Sequence, residues 1–276
     1  MPTTRVATIV GFDSAWTATN SGAIAALRNP DGPDPHFVEP ARATFEQAQR
    51  SAMALIDRPG IHLLAIDQPL VVKNENGMRD VDRVAASVLG RYAGGVQPAS
   101  LARRSMFGPT APIAAFLHAL GTVITTTPPG AGARGAFAIE VFPALGNLGL
   151  FPEFRERGRV PKYNPTRKTF RLDDWSRICA LAADEYRREG LGEVEGCCRN
   201  LSSITRPRKQ DQDCLDAMLC LLTGIIFVRT PSRCAVLGDE RNGFMVFSVT
   251  EPLAAEVEGT AARCGVAFRR LGRACG

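Results

Sequence analysis

Apolar and polar positions change their spacing several times along the chain, and each change marks an element. Val6 to Phe12 is rich in β-branched and aromatic residues, and Gly22 to Leu27 is a second apolar run after the turn-prone Thr19-Asn20-Ser21. The two runs predict a hairpin. Asn29 to Pro35 holds three prolines and a glycine, too many for a regular element, and a third strand is expected around His36 to Glu39. Thr44 can cap a helix in which Phe45, Ala48, Ala52, Met53 and Leu55 recur at helical spacing as far as Arg58-Pro59-Gly60. Ile61 to Ile66 then reads as a buried strand. A strand, a helix and a further strand in that order predict a crossover connection, hence a sheet that opens antiparallel and continues parallel.

Beyond Val71 the pattern is helical near Asp80 to Leu89 and Pro112 to Leu120, interrupted at Gly90 to Pro98, and reads as an insertion at about 71–130. Arg79, Arg83, Arg91, Arg103 and Arg104 fall in this stretch, either as a solvated face or as a phosphate-binding lid. A strand over Phe137 to Phe142 ends at Pro143. Arg155 to Arg171 is basic, lacks apolar periodicity and is expected to be an exposed loop. Asp174 to Arg188 is a charged amphipathic helix, and Asp211 to Phe227 is the most apolar helix of the chain. Ala235 to Gly238 and Phe244 to Val249 flank a segment whose Asn242-Gly243 pair favours a hairpin turn. Neither a repeat nor a linker divides the 276 residues, so one α/β domain is expected.

Composition narrows the classes only a little. Lys and Arg outnumber Asp and Glu by 33 to 28, an excess that would help a polyanion approach without identifying one. The eight cysteines lack zinc-knuckle and disulfide-scaffold spacing, which points to reduced thiols and a cytoplasmic protein. No apolar run reaches the ~20 residues of a membrane span, and no membrane role is expected. Gly130 to Gly135 matches G-x-G-x-x-G but precedes a strand, the wrong context for a dinucleotide fingerprint.

The acids change the picture more. Asp13, Asp67 and Glu140 each stand where a hydrophobic strand runs out, and Asp216 opens the apolar run from Ala217 to Phe227. Ionised carboxylates avoid dry interiors unless they are paired or bind metal. The set therefore reads as a site for Mg²⁺ or Mn²⁺, hard ions that prefer oxygen ligands. Asp213 lies three residues before Asp216, on roughly the same helix face, and both can serve as ligands, as helix-capping charges, or as both. Two ions held this way can activate water and stabilise the leaving oxygen of a phosphodiester. Ser14 could donate to substrate or to Asp13. Lys162, Arg167, Lys168, Arg208 and Lys209 are candidates for phosphate contacts, with solvated loop charge as the alternative.

Four blocks now stand out: Gly11-Phe12-Asp13-Ser14-Ala15, Ile66-Asp67-Gln68-Pro69-Leu70, Glu140-Val141-Phe142-Pro143-Ala144, and Asp213-Cys214-Leu215-Asp216-Ala217-Met218-Leu219-Cys220. In this order they resemble the domain-of-unknown-function 429 family, usually described as predicted RNase H-like nucleases. The resemblance implies an RNase H-like mixed five-stranded sheet with helices on both faces, a helical insertion and a C-terminal hairpin extension. It implies a hydrolase in which Asp13, Asp67, Glu140 and Asp216 are catalytic, binding metal together with Asp213 and acting on RNA, DNA or their hybrid. Two other classes stay open: a phosphotransferase or ATPase of the related actin-like fold, and a non-catalytic binding module.

Overall fold

The computed structural model describes residues 6–56, 59–130 and 132–272. Strands β1 (Val6–Asp13), β2 (Gly22–Arg28) and β3 (His36–Ala43) form an antiparallel meander. Helix α1 (Phe45–Leu55) starts in a reciprocal capping box, in which Thr44 Oγ1 accepts from the Gln47 amide and Gln47 Oε1 accepts from the Thr44 amide. It returns the chain to β4 (Ile61–Ile66), which runs parallel to β1.

The next connection holds α2 (Asp80–Gly90), α3 (Arg104–Phe107), α4 (Pro112–Ala119) and the two-residue β5 (Val123–Ile124) before β6 (Gly135–Glu140). After β6 come α5 (Pro143–Leu150), α6 (Pro152–Glu156), α7 (Leu172–Arg188), α8 (Gly192–Ser202) and α9 (Lys209–Arg229). The chain closes with β7 (Cys234–Asp239), β8 (Gly243–Ser248), α10 (Glu251–Arg263) and β9 (Phe268–Arg270).

The main sheet has six strands in the order β3-β2-β1-β4-β6-β5, one more than the five expected, because the short β5 pairs with β6 as an edge. The expected hairpin is present as β7 and β8, and β9 extends it to a three-stranded sheet. A bridge between Val141 and Val246 joins the two sheets.

Alternate residues of the strands feed two cores, as a period of two requires. Ile9, Ala25, Leu63 and Ala65 pack in the larger core with α7 and α9, whereas Val10, Phe12, Ile24, Ala26, Leu64 and Ile66 pack with α1 and α4. The 71–130 segment is no lid laid over one edge. Val81, Val84, Ala85 and Val88 of α2 belong to the larger core, and Ile113 and Phe116 of α4 to the smaller. Arg155–Arg171 also departs from a plain exposed loop: Val160 is buried, and Arg159 pairs with the buried Asp174 at the start of α7. Among the described residues no helix is long and apolar enough to cross a membrane.

Helix α9 lies very close to β1, and glycine is the reason. A Cβ on Gly11 would come within 2.2 Å of the Ala217 carbonyl oxygen and 2.4 Å of the Leu221 amide nitrogen. Only a residue without a side chain lets the two backbones approach so closely.

Candidate functional site

β1 and β4 are parallel neighbours with Phe12 abreast of Ile66, and the Asp67 amide donates to the Phe12 carbonyl at 2.9 Å. Asp13 and Asp67 are therefore side by side at the carboxyl ends of the two strands. Asp13 continues the side-chain row of Ile9 and Gly11, and Asp67 continues that of Leu63 and Ala65, so both fall on the face covered by α9. The Gly11 contact holds α9 down at Ala217, the residue after Asp216. Asp213, one turn earlier on α9, is buried as well.

The partners of these acids are few and mostly neutral. Asp216 Oδ1 accepts from the Tyr163 hydroxyl at 2.7 Å, and its Oδ2 accepts from Gln212 Nε2 at 2.5 Å. The Lys209 ammonium pairs with Asp213. Burial pushes the Asp13 carboxyl well above the usual range, and Asp216 and Asp67 push it further, with Lys209 pulling back. Asp67 is raised in the same way, first by burial and then by Asp216 and Glu140. Asp216 is pushed up to about 6 by burial, against the hydrogen bond from Tyr163 and the charge of Lys209. Tyr163 is raised in turn, by burial and by Asp216.

Glu140 stands apart from these three. The β4–β6 register sets it abreast of Ile66 instead of Asp67, on the alternate parity. Its carboxylate is gripped by Arg79, with Nη2 donating to Oε1 at 2.6 Å and Nη1 to Oε2 at 2.9 Å, and Oε2 also accepts from the Leu70 amide. Arg79 is 2% exposed and binds Asp82 as well, with Nη2 donating at 2.8 Å, so it is neither a solvated face nor a phosphate lid. Arg83, Arg91, Arg103 and Arg104 are exposed.

A cavity of about 540 Å³ opens in front of Asp13, lined among others by Ser14, Trp16, Arg42, Lys209 and Asp213. Ser14 is buried and donates to Gln68 Oε1 at 2.5 Å, while Gln68 donates to the Met106 carbonyl, so Ser14 braces the turn after β4. A second cavity, about 320 Å³, is lined by Lys162, Tyr163, Asn164, Arg167 and Gln212, and reaches the acids through the two side chains that bind Asp216. The Lys162 ammonium is engaged by the Ala93 carbonyl. Lys168 lies exposed beyond Arg167, and Arg208 is exposed at the first cap of α9, where its amide donates to Asp211. Of the five basic candidates, Lys209 is the one adjoining the acids.

Oxygen donors suited to a hard cation thus meet at one end of the sheet, but they stay open. Among the described residues no group of three or more His, Cys, Asp or Glu side chains is closed around a point that could hold a metal ion. Tyr163, Gln212 and Trp16 went unnoticed in the sequence. Tyr163 sits in a polar loop, and Gln212 had only its place between Asp211 and Asp213 to recommend it, four residues before the acid it binds. Trp16 follows the Asp13 strand within three residues, which is the only local signal it offers.

Fold and site define an α/β protein with a cluster of repelling acids at the carboxyl end of a mixed sheet. Residues 11–241 match the family model described as "Protein of unknown function (DUF429)", and the chain belongs to that family. Comparison with curated proteins and with solved structures finds no significant match.

Proposed function

We propose that the protein is a divalent-ion-dependent nuclease hydrolysing phosphodiester bonds of nucleic acid, on an RNase H-like sheet. The observation that carries this reading is the meeting of Asp13, Asp67 and Asp216, from three separate elements, with their carboxyls held up by burial and by neighbouring acids beside an open cavity. Setting the two-residue β5 aside leaves β3-β2-β1-β4-β6, three antiparallel strands followed by parallel ones, which supports the RNase H-like reading.

The donor set fits Mg²⁺ or Mn²⁺ by chemistry. It is all oxygen, it carries excess negative charge, and among the described residues Lys209 is the cation that lowers Asp13, Asp67 and Asp216 alike. Asp13, Asp67 and Asp216 would hold the ion, with Asp213 beside them. When bound, the ion supplies charge stabilisation of the reacting phosphate oxygens and a more acidic water. Tyr163 and Gln212 orient the two oxygens of Asp216. Glu140, locked by Arg79, acts as a positioning residue that ties down the Leu70 amide and so the turn carrying Asp67. Lys209 and, farther out, Lys162, Arg167, Lys168 and Arg208 would contact phosphates.

Labelled RNA, DNA and RNA/DNA hybrid, incubated with Mg²⁺ or Mn²⁺, test this reading. Cleavage of at least one polymer is expected, with Asp13→Asn about 10²-fold slower or worse, the scale seen when one electrostatic stabiliser is removed. Circular dichroism would check that the variant is folded. Inactivity on all three polymers, or an Asp13→Asn enzyme that cuts at full rate, would overturn the reading.

A further inference from the structure

The cavity in front of Asp13 has a wall that the acids do not explain. Trp16 lines it, and its φ of +61° is in the left-handed region, which a bulky side chain seldom enters without surrounding contacts to enforce it. Two contacts do so here. The indole Nε1 donates to the Asp67 carbonyl at 3.1 Å, and the ring meets Phe107 edge to face with centroids 5.4 Å apart. These anchors fix the ring beside Asp67 while leaving it partly open to the cavity. The same cavity is lined by two cationic side chains from separate elements, Arg42 of β3 and Lys209 of α9. Arg42 is exposed and held by Ser21, to which its Nη2 donates at 2.5 Å.

We infer that this cavity is a nucleoside subsite in which Trp16 stacks against an unpaired base while Arg42 and Lys209 receive the flanking phosphates, which makes the substrate a single strand. The inference rests on the nuclease reading and narrows its substrate. About 540 Å³ suits one nucleotide-sized group, being within the usual range of small-ligand pockets. A base stacked inside a duplex offers no free face to an indole, whereas an unpaired base does, and stacking of this kind tolerates any base. The arrangement accounts for a strained tryptophan next to the acids, which metal binding alone does not require.

Fluorescence tests this directly, because the chain has two tryptophans and Trp175 is fully buried. A cleavage-resistant phosphorothioate oligothymidylate is titrated with Mg²⁺ present, first alone and then annealed to its complement. Quenching of the wild-type emission by the single strand, and weaker binding of the duplex, are expected. Trp16→Ala should weaken single-strand binding about 5- to 150-fold, the equivalent of one stacked base, and Trp16→Phe should keep most of the affinity. Equal wild-type binding of single strand and duplex overturns the inference, as does binding without a quench. A folded Trp16→Ala that binds the single strand as tightly as wild type does so too, and leaves the nuclease reading intact if cleavage persists. Absence of any binding by the wild type removes both.

Discussion

Two groups of buried and half-buried acids sit at the same end of the sheet, and the protein treats them in opposite ways. Behind β6, Glu140 and Asp82 share Arg79, whose guanidinium donates to both carboxylates from a fully desolvated position. In front of β1 and β4, next to Asp13 and Asp67, Asp216 receives the neutral donors Tyr163 and Gln212, and the half-exposed Lys209 pairs with Asp213. The rear group has a cation built into the fold, although burial still raises Glu140 against it. The front group keeps its charge unbalanced, and its carboxyls are held above the usual range. Two adjacent sites made of the same residue types thus differ in a single built-in arginine. Under the proposed function, that difference makes the front group the binding site and the rear group its support.

Removing the arginine tests the comparison with the largest effect. Arg79→Met leaves Glu140 and Asp82 buried without their cation, and breaking such a pair typically costs about 3–5 kcal/mol. Urea denaturation should show a loss of that size, partly recovered when Glu140→Gln is added because one unpaired charge is then gone. A loss under about 1 kcal/mol would mean that the rear acids find water or are protonated at little cost, and the contrast between the two groups would collapse.

Gly11→Ala sharpens the comparison by disturbing the front group alone. The added methyl would meet the Ala217 carbonyl and the Leu221 amide well inside van der Waals distance, so α9 must move off β1 and take Asp216 with it. Overpacking of this kind costs about 1–3 kcal/mol. The expected result is a drop in thermal midpoint together with a weaker stabilisation by Mn²⁺ than wild type shows. An unchanged Mn²⁺ response would separate the glycine from the geometry of the acids.

Much of this arrangement was legible in the sequence because it follows from local rules. Strand periodicity put β1, β2 and β4 in place, the Thr44 capping signal began α1, the Asn242-Gly243 pair made the β7–β8 turn, and acids at the ends of apolar runs marked Asp13, Asp67 and Asp216. What could not be read depends on register or on long-range partners. Pro143 looked like a strand breaker and is also the first residue of α5, since proline serves equally well at a helix start. The two-residue β5 has no pattern of its own. Arg79 resembled four exposed arginines nearby, and only its meeting with Glu140, 61 residues away, sets it apart. Tyr163 lies in a stretch whose composition reads as exposed loop, yet Val160 and Arg159 anchor that stretch to the core and bring the hydroxyl to Asp216.

The smallest expected effect concerns the front charges themselves. An acid whose folded pKa is raised binds its proton more tightly in the native state than in the unfolded chain, so stability is highest below the unfolded value near 4 and falls as pH rises through the folded value. For Asp216 that window runs from about pH 4 to beyond about 6, and Asp13 and Asp67 shift in the same direction. Asp174, Glu153 and Asp239 are lowered by hydrogen bonds from arginines or backbone amides, and they act in the opposite sense at lower pH. Subtracting a variant isolates the front group. Without divalent ions, Asp13→Asn should be more stable than wild type at pH 8, because a raised carboxyl is lost, and the gain should vanish near pH 4. Adding Mn²⁺ at pH 8 should reverse the order, since wild type gains a bound ion and the variant loses a ligand. Thermal melts at both pH values, with and without Mn²⁺, give all four comparisons. A variant less stable than wild type at pH 8 in EDTA would mean that the three acids do not repel one another, and the front group would then need no cation.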